Sequence, residues 1–263
     1  MSVAQAQAKI NLALVVGPVR EDGLHEIATL YQRLALHDTI SLQAGPALVV
    51  EGFAEDTLVR RALEAAAAAA GAEPHWHARI EKRIPVAAGL GGGSSDAAAA
   101  LMLASESLGA GLPGAALPAL ARSLGADVPF FLERGPRLGT GDGTELEAVD
   151  VPQGFAVVIL LPDGVAKRST AEVYGRFDRP GGFEQRKAEL LAAVAAGDLA
   201  ALPPNDLVSS PLAGRMLELG AFRADVSGAG PAVYGLFSDR EHAAAAAARL
   251  RSLGRVFVTE PAW

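Results

Sequence analysis

The chain has no cysteine, which excludes disulfide bridges, thiolate zinc sites and cysteine nucleophiles. It also lacks a long apolar segment: the longest strongly apolar run, FAVVILLP, is far shorter than the roughly 20 residues that a membrane-spanning helix needs. Its first residues, MSVAQAQAKIN, have neither the basic segment nor the apolar core of a signal peptide. We therefore expect a soluble cytoplasmic protein with no membrane partner.

Positive charge is scarce as well. The formal net charge of −7 argues against a nucleic-acid partner, because binding to a phosphate backbone needs clustered lysine and arginine. A small anionic ligand is compatible with this charge, since a few backbone amides and one lysine can hold it. We expect a small-molecule substrate and a monomer or weak homodimer.

Hydrophobic residues make up 50% of the 263 residues, which is enough to bury a core. A turn-rich passage at residues 137–154 indicates a domain boundary, so we divide the chain into domains at residues 1–152 and 153–263 and predict an α+β fold. The predicted strands are residues 9–16, 76–82, 155–162, 232–237 and 255–260. The predicted helices are residues 56–71, 183–196, 207–220 and 239–251, one within 112–127 and one after the glycines at 89–93.

The stretch PVAAGLGGGSSDAAAAL, residues 85–101, places flexible glycines directly before a helix-forming alanine run. Glycines let backbone amides approach a ligand closely, and the start of a helix directs unpaired N–H groups and a positive dipole end to the same place. Ser94 and Ser95 can cap this helix or turn their hydroxyls to a phosphate oxygen. Asp96 would repel phosphate unless it points away or shares a cation. The stretch therefore predicts a phosphate site, and the competing interpretation is a turn that only lets the helix pack closely.

Two better-known glycine loops do not match this stretch. No lysine follows the glycines, as the P-loop of many NTPases requires. The dinucleotide fingerprint G-x-G-x-x-G also fails, because its last position is occupied by Ser94 or Asp96. The loop is of another kind.

Three stretches occur in the order shown by the GHMP kinases, the superfamily of small-molecule kinases named after galactokinase and the homoserine, mevalonate and phosphomevalonate kinases. They are AKINLAL at residues 8–14, PVAAGLGGGSSDAAAAL at residues 85–101 and VSGAGPAVYGLF at residues 226–237. The chain resembles this family over nearly its whole length. The resemblance implies an N-terminal domain like the second domain of ribosomal protein S5 and a ferredoxin-like C-terminal domain.

Further stretches, REDGLHEI, LGADVPFFL and PNDL, are similar to the branch of the family that phosphorylates the 2-hydroxyl of CDP-methylerythritol with ATP, in the methylerythritol phosphate route to isoprenoids. In this resemblance, Asp127 matches the catalytic aspartate and Lys9 matches the lysine that pairs with it and stabilises the transferring phosphoryl group. Mg²⁺ is implied together with ATP, and the sequence identifies no protein ligand for it. The residues implied in ATP binding are Pro85, Ala87, Ala88, Gly89, Leu90, Gly91, Gly92, Gly93, Ser94 and Ser95.

The resemblance also implies a pocket for the cytidyl substrate. His25 would hydrogen-bond the cytosine ring, Tyr174 would stack on it and Asn11 would line the polyol site. Leu24 stands where the family usually has a tyrosine, so we expect one aromatic and one aliphatic wall. Ala229 stands where a serine is common, which removes a hydroxyl near the phosphates. The implied substrate-binding residues are Asn11, Leu24, His25, Tyr174, Gly228 and Gly230.

Without the resemblance, several of these residues have ordinary structural explanations. Asp127 is typical of a turn or capping residue, Lys9 of an exposed strand edge and His25 of a hydrogen-bonded structural histidine. Asn205 and Asp206 are favoured as the N-cap of a following helix over a substrate contact.

Two other functions stay open from the sequence. A GHMP kinase for homoserine, mevalonate or a sugar would share the fold and change the acceptor, and DGLHE with GGGSSDAAA argues against it. A catalytically silent nucleotide-binding module would keep the glycines without turnover, and the presence of Lys9 and Asp127 argues against that.

Overall fold

The computed structural model describes residues 1–109, 111–112, 115–165, 169–177 and 181–262. Strands and helices mix throughout, as the predicted α+β class requires. The chain forms two compact units, each built from three stretches. The first unit comprises Met1–Ala8, Leu36–Val86 and Gly91–Arg134, and the second comprises Lys9–Ala35, Ala87–Leu90 and Gly135–Trp263. The boundary predicted after residue 152 stays a prediction.

The elements follow one another in mixed order, and none of the helices in the described ranges is long and apolar enough to cross a membrane. The strands are β1 Ser2–Val19, β2 His25–Ala44, β3 Val49–Glu51, β4 Trp76–Glu81, β5 Arg137–Thr140, β6 Glu145–Ala148, β7 Ala156–Pro162, β8 Arg223–Val226, β9 Val233–Phe237 and β10 Gly254–Thr259. The α-helices are α1 Leu58–Ala69, α2 Gly92–Ser107, α3 Ala116–Leu124, α4 Thr170–Tyr174, α5 Phe183–Ala196, α6 Pro211–Glu218 and α7 Arg240–Leu250.

In the first unit, the second half of β2 pairs antiparallel with β4, and β3 pairs parallel with β4 on its other side. The predicted alternation of β4 is confirmed, since Trp76, Ala78 and Ile80 are buried between more exposed polar neighbours. Helix α1 packs against α2 and α3. Residues 95–101 of α2 are all buried, and most of them are alanines, so the helices approach each other through small side chains.

In the second unit, the first half of β2 pairs antiparallel with β5, which pairs with β6. Strands β10, β7, β9 and β8 form a four-stranded antiparallel sheet in that order. Helices α6 and α7 cover this sheet, because the apolar residues of both helices pack into one core with those of the strands. Members of that core include Val158, Leu160, Met216, Phe237, Ala243 and Leu250.

The longest strand, β2, was not predicted from the sequence. Its alternation is obscured because polar residues occupy buried positions, among them Thr29, Gln32 and Asp38. The passage at residues 137–154 holds two strands, β5 and β6, among its turns. The predicted start of a helix at residue 207 was wrong, since α6 begins at Pro211.

The core of the second unit yields a stability prediction. Phe237 is completely buried in β9, so Phe237→Ala should lower the free energy of unfolding by about 3–5 kcal/mol. Phe222, whose exposed fraction is 40%, is the matched control, and Phe222→Ala should cost about 1 kcal/mol. Urea unfolding of both variants measures the difference, and equal losses would contradict the placement of Phe237 in the core.

Candidate active site

The glycine loop, residues 85–95, ends in the first turn of α2. This helix begins at Gly92, and its N-cap, Gly91, has the left-handed conformation with φ 68° and no side-chain hydrogen bond. The first bond within the helix runs from Ser95 N to Gly91 O (2.9 Å). Ser94 and Ser95 therefore lie inside the helix and do not cap it. The N–H groups of Gly92, Gly93 and Ser94 lack helical acceptors, and the helix dipole favours an anion at this end.

The carbonyl groups in the middle of the glycine loop accept hydrogen bonds from other residues of the second unit. The carbonyl oxygens of residues 88, 89 and 90 accept hydrogen bonds from Ala232 N (3.0 Å), Ser227 Oγ (2.8 Å) and Lys9 N (2.9 Å). Three successive peptide groups are thus oriented by the protein. This orders the backbone of the loop.

Close backbone approach explains two of the glycines. A Cβ on Gly89, whose φ is +81°, would lie 2.1 Å from the carbonyl oxygen of Ser227. A Cβ on Gly228 would lie 3.2 Å from Asn11 Oδ1 and 3.7 Å from Lys9 Nζ. The second unit therefore brings together part of the glycine loop, the two predicted site residues of β1 and residues 226–237, which we call the C-terminal glycine motif.

Lys9 is buried, with an exposed fraction of 4%, so the interpretation as an exposed strand-edge lysine was wrong. Its ammonium donates to Asn11 Oδ1 (2.6 Å) and lies 5.4 Å from the ring centroid of Tyr31. Asn11 Nδ2 in turn donates to Thr29 Oγ1 (2.8 Å), whose hydroxyl donates to the carbonyl of Ala13 (2.7 Å). A buried charge needs such partners, and this chain of bonds fixes the amide of Asn11.

Asp127 lies in the turn between α3 and the 3₁₀ helix Pro129–Leu132, and it is half-buried. It belongs to the first unit, whereas Lys9 belongs to the second. The pairing of Asp127 with Lys9 stays a prediction.

The N-cap predicted at Asn205 and Asp206 was wrong. Helix α6 has Ser210 as its N-cap, and the Ser210 hydroxyl accepts a hydrogen bond from the backbone N–H of Leu212. Pro211 sets this start because its fixed φ suits the first helical position.

Asn205 instead holds the C-terminal glycine motif. Its Nδ2 donates to the carbonyl oxygens of Val226 (2.9 Å) and Gly228 (2.7 Å), and its backbone N–H donates to the carboxylate of Asp225 (2.8 Å). Burial raises the pKa of Asp225, although hydrogen bonds from the backbone of Asn205 and Val226 and the charge of Arg223 oppose the rise. The sequence did not reveal this role, because it depends on a contact across about 20 residues of chain.

His25 and Tyr174, two of the predicted substrate-binding residues, lie together in the second unit. Their ring centroids are 5.7 Å apart, and Phe177 contacts His25 edge-on at 5.6 Å. We call these three residues the aromatic cluster. A capping box between Ser169 and Glu172 begins helix α4, which carries Tyr174. Tyr174 and Phe177 also pack against the apolar core residues Leu14, Val16 and Ile27.

Leu24 has an exposed fraction of 51%, and Phe177 was missed in the sequence. The sequence feature that indicates Phe177 is its spacing of three residues from Tyr174, which places both side chains on the same face of a helical turn. Nδ1 of His25 lies 2.8 Å from the carbonyl oxygen of Gly17. Because a carbonyl only accepts, Nδ1 carries the hydrogen and Nε2 of the neutral ring is an acceptor.

Three charged residues of the first unit, Asp38, Lys82 and Asp96, form what we call the Lys82 cluster. The ammonium of Lys82 bonds to the carboxylates of Asp38 and Asp96, the latter at 2.7 Å. Burial and the negative charge of Asp38 raise the pKa of Asp96 to about 7, against the opposing effect of Lys82. Burial lowers the pKa of Lys82, but the two carboxylates outweigh this effect and the pKa is raised. Asp96 therefore shares a cation, which is one of the two arrangements expected for a carboxylate beside the predicted phosphate site.

Within the described residues, no group of three or more histidine, aspartate or glutamate side chains could hold a metal ion.

Comparison with known proteins gives the same family at several levels. Residues 57–135 match the model of the GHMP kinase N-terminal domain, and residues 209–256 match that of the GHMP kinase C-terminal domain. A 4-diphosphocytidyl-2-C-methyl-D-erythritol kinase from Pelotomaculum thermopropionicum is 41% identical over 94% of this chain and 93% of its own length. A protein of the same name from a Nocardioides species is 38% identical over 97% of this chain and 94% of its own length.

Solved structures agree with the sequence comparisons. The crystal structure of a 4-(cytidine 5'-diphospho)-2C-methyl-D-erythritol kinase superposes with a TM-score of 0.84 at 34% identity, over the whole of both chains. A homoserine kinase from Cytophaga hutchinsonii shares the fold alone, with a TM-score of 0.74 at 16% identity over 99% of this chain and 95% of its own. The predicted α+β fold of two GHMP kinase domains is confirmed. The chain belongs to the GHMP kinase family, in the branch of the 4-diphosphocytidyl-2-C-methyl-D-erythritol kinases.

Proposed function

We propose that the chain transfers the γ-phosphoryl group of ATP to the 2-hydroxyl of 4-diphosphocytidyl-2-C-methyl-D-erythritol, giving the 2-phosphate and ADP. The observation that carries this proposal is the aromatic cluster, where His25 and Tyr174, whose ring centroids are 5.7 Å apart, offer one base an acceptor nitrogen and a stacking face. The names of the relatives, which cover more than nine-tenths of the chain, support the same substrate.

The proposed mechanism follows from the loose transition state of phosphoryl transfer, which needs alignment and charge stabilisation more than covalent help. Asp127 accepts the proton of the attacking hydroxyl as the new oxygen–phosphorus bond forms and the bond to the ADP oxygen breaks. Lys9 and the amides of the glycine loop stabilise the negative charge on the transferring group. A magnesium ion bound to the nucleotide would supply further positive charge to its phosphates.

The aromatic cluster suggests how a cytosine is told from a uracil. With Nδ1 of His25 donating to Gly17, Nε2 is an acceptor, and it suits the exocyclic amine of cytosine. The carbonyl oxygen that uracil has at this position would face Nε2 as a second acceptor. Tyr174 supplies a stacking face, which accepts either base.

We further propose, from the sequence, that the protein is cytoplasmic and is a monomer or a weak homodimer. The division into domains at residues 1–152 and 153–263 is part of the same proposal. Asn11, Gly228 and Gly230 are proposed to line the site for the polyol and phosphates of the substrate, and the closeness of Gly228 to Lys9 Nζ supports this.

The proposed activity predicts a definite choice of acceptor. Purified protein with ATP and Mg²⁺ should release ADP with the cytidyl-erythritol substrate, and not with homoserine, mevalonate or galactose. A coupled assay of ADP measures all four acceptors under the same conditions. Turnover with another acceptor alone would keep the kinase fold and overturn the proposed substrate, and no turnover with any acceptor would favour a silent nucleotide-binding module.

The role of Asp127 predicts a loss in the chemical step. Asp127→Asn removes the proton acceptor and keeps the shape of the side chain, so kcat should fall by a factor on the order of 10²–10⁴ while ATP still binds. Asp150, an exposed carboxylate, is the control, and Asp150→Asn should leave kcat unchanged. Steady-state kinetics together with ATP titration measure both quantities. Near-normal turnover of Asp127→Asn would remove Asp127 from the mechanism.

The aromatic cluster predicts separate effects on base identity and base affinity. His25→Ala should reduce the preference for the cytidyl substrate over its uridyl analogue by about tenfold, because the acceptor that distinguishes the two bases is lost. Tyr174→Ala should instead raise KM for both substrates by about tenfold, because stacking accepts either base. Measuring kcat/KM for both substrates tests the assignment, which fails if His25→Ala leaves the preference intact.

A further inference from the structure

The segments immediately before and after the glycine loop both contribute to the Lys82 cluster. The three residues of this cluster belong to the first unit. Lys82 stands three residues before Pro85, at the end of β4, and Asp96 lies in α2 immediately after the loop. Asp38 and Asp96 have exposed fractions of 0% and 1%, so the ion pairs of Lys82 are shielded from water. One ammonium thus connects the segment before the loop with the helix after it.

Asp38 binds the entry segment at three points. One of its carboxylate oxygens accepts hydrogen bonds from the backbone N–H groups of Arg83 and Ile84, the latter at 2.8 Å, and the other accepts from the ammonium of Lys82. Three consecutive residues before the loop are therefore tied to a single buried side chain of β2. A carboxylate that accepts several N–H bonds orders a turn strongly, because charge-assisted bonds are the stronger ones.

Lys82 also lies against the first residue of α2. A Cβ on Gly92 would lie 3.4 Å from Lys82 Nζ and 3.1 Å from Cγ2 of Ile84. The helix end that is proposed to hold the phosphates therefore lies beside the cluster. A shift of Lys82 or Ile84 would displace Gly92, whose N–H is one of the unpaired amides.

We propose that Asp38, Lys82 and Asp96 are positioning residues for ATP: they fix the two ends of the glycine loop, so that the amides at the start of α2 keep the spacing that the phosphates require. This inference rests on the proposed function, in which the glycine loop holds the phosphates. The cluster acts through Gly92 and the backbone of residues 83–84, and it need not touch the nucleotide.

Stability alone is a weak explanation for the cluster. Replacing a buried ion pair by well-packed apolar residues is often neutral or stabilising, so a cluster kept only for the fold has little to offer. Asp96 also has an oxygen, Oδ1, for which the described residues supply no hydrogen-bond partner. An unsatisfied buried oxygen is costly, and it is tolerated more readily where the arrangement of charges serves a neighbouring site.

The charge of the cluster changes near neutral pH. The charged groups that face Asp96 are Lys82, at the end of β4, and Asp38, on β2. The charged side chains of the helices packed against α2 are exposed; they are Arg60, Arg61, Glu64 and Arg122. Since the pKa of Asp96 is raised to about 7, the cluster is neutral at lower pH and carries one negative charge at higher pH. That charge would weaken the binding of a triphosphate at the start of α2.

The test compares Lys82→Met with Arg83→Met, which removes an exposed cation from the next residue and leaves the cluster intact. Lys82→Met should raise KM for ATP by at least about tenfold, and should change kcat and KM for the cytidyl substrate by less than about threefold. Arg83→Met should leave all three constants within about twofold of the wild type. Unfolding midpoints of both variants show how much of any effect is loss of fold.

A second variant, Asp96→Asn, keeps an oxygen for Lys82 and removes the titration. Between about pH 6 and pH 8 the terminal phosphate of ATP ionises with both proteins, and in the wild type Asp96 ionises as well. KM for ATP should therefore rise more with pH in the wild type than in Asp96→Asn. This variant also decides the matter if Lys82→Met does not fold. The same pH dependence in both proteins would overturn the proposal.

The outcomes separate this inference from the proposed function. A wild-type protein that does not turn over ATP with the cytidyl substrate refutes the proposed function. A wild-type protein that does so, combined with a Lys82→Met variant that loses thermal stability at unchanged KM for ATP, refutes the positioning role alone. A rise in KM for ATP at nearly unchanged kcat supports it, since general loss of structure would not select one substrate.

Discussion

A charge that is removed from water needs partners, and this constraint arranges the segments around both glycine motifs. Lys9 is paired with the amide oxygen of Asn11, and Lys82 with two carboxylates. Arg223 donates to three backbone carbonyl oxygens of distant segments and to the hydroxyl of Tyr234. Lys9 and Asn11 lie on the same strand, β1, whereas Lys82 and Arg223 bond to partners in other elements. Buried charges therefore join separate segments of the chain, Lys82 just before the glycine loop and Arg223 just before the C-terminal glycine motif.

The carbonyl oxygens of the glycine loop bond to the protein, and its amides at the start of α2 are the groups proposed to bind a phosphate. Its carbonyl oxygens at residues 88–90 are taken by Ala232, Ser227 and Lys9, while the amides at the start of α2 have no helical acceptor. Donors that are held in place before the reaction stabilise developing charge without reorganisation at the moment of transfer. The same bonds explain why Gly89 carries no side chain, since Ser227 occupies that space.

The helices and strands were largely predictable from the sequence, but the hydrogen bonds and ion pairs around the candidate site were not. The alternation of β4 and the composition of α5 identified both elements, because local pattern determined them. Strand β2 was missed because its buried polar residues serve partners elsewhere. Motifs brought His25 and Tyr174 into one prediction, and the structure places them together. The ion pair between Lys82 and Asp38 was not predictable, because the two residues are 44 positions apart and no local sequence pattern indicates their contact.

The two compact units are interleaved along the chain, each containing three separate stretches. Strands β1 and β2 run through both of them. Boundaries between domains usually fall in exposed linkers that few contacts cross. In this chain a single genetic crossover, wherever it falls, would divide residues of at least one unit between two parents. A cut within β1 or β2 would in addition interrupt a strand that both units contain.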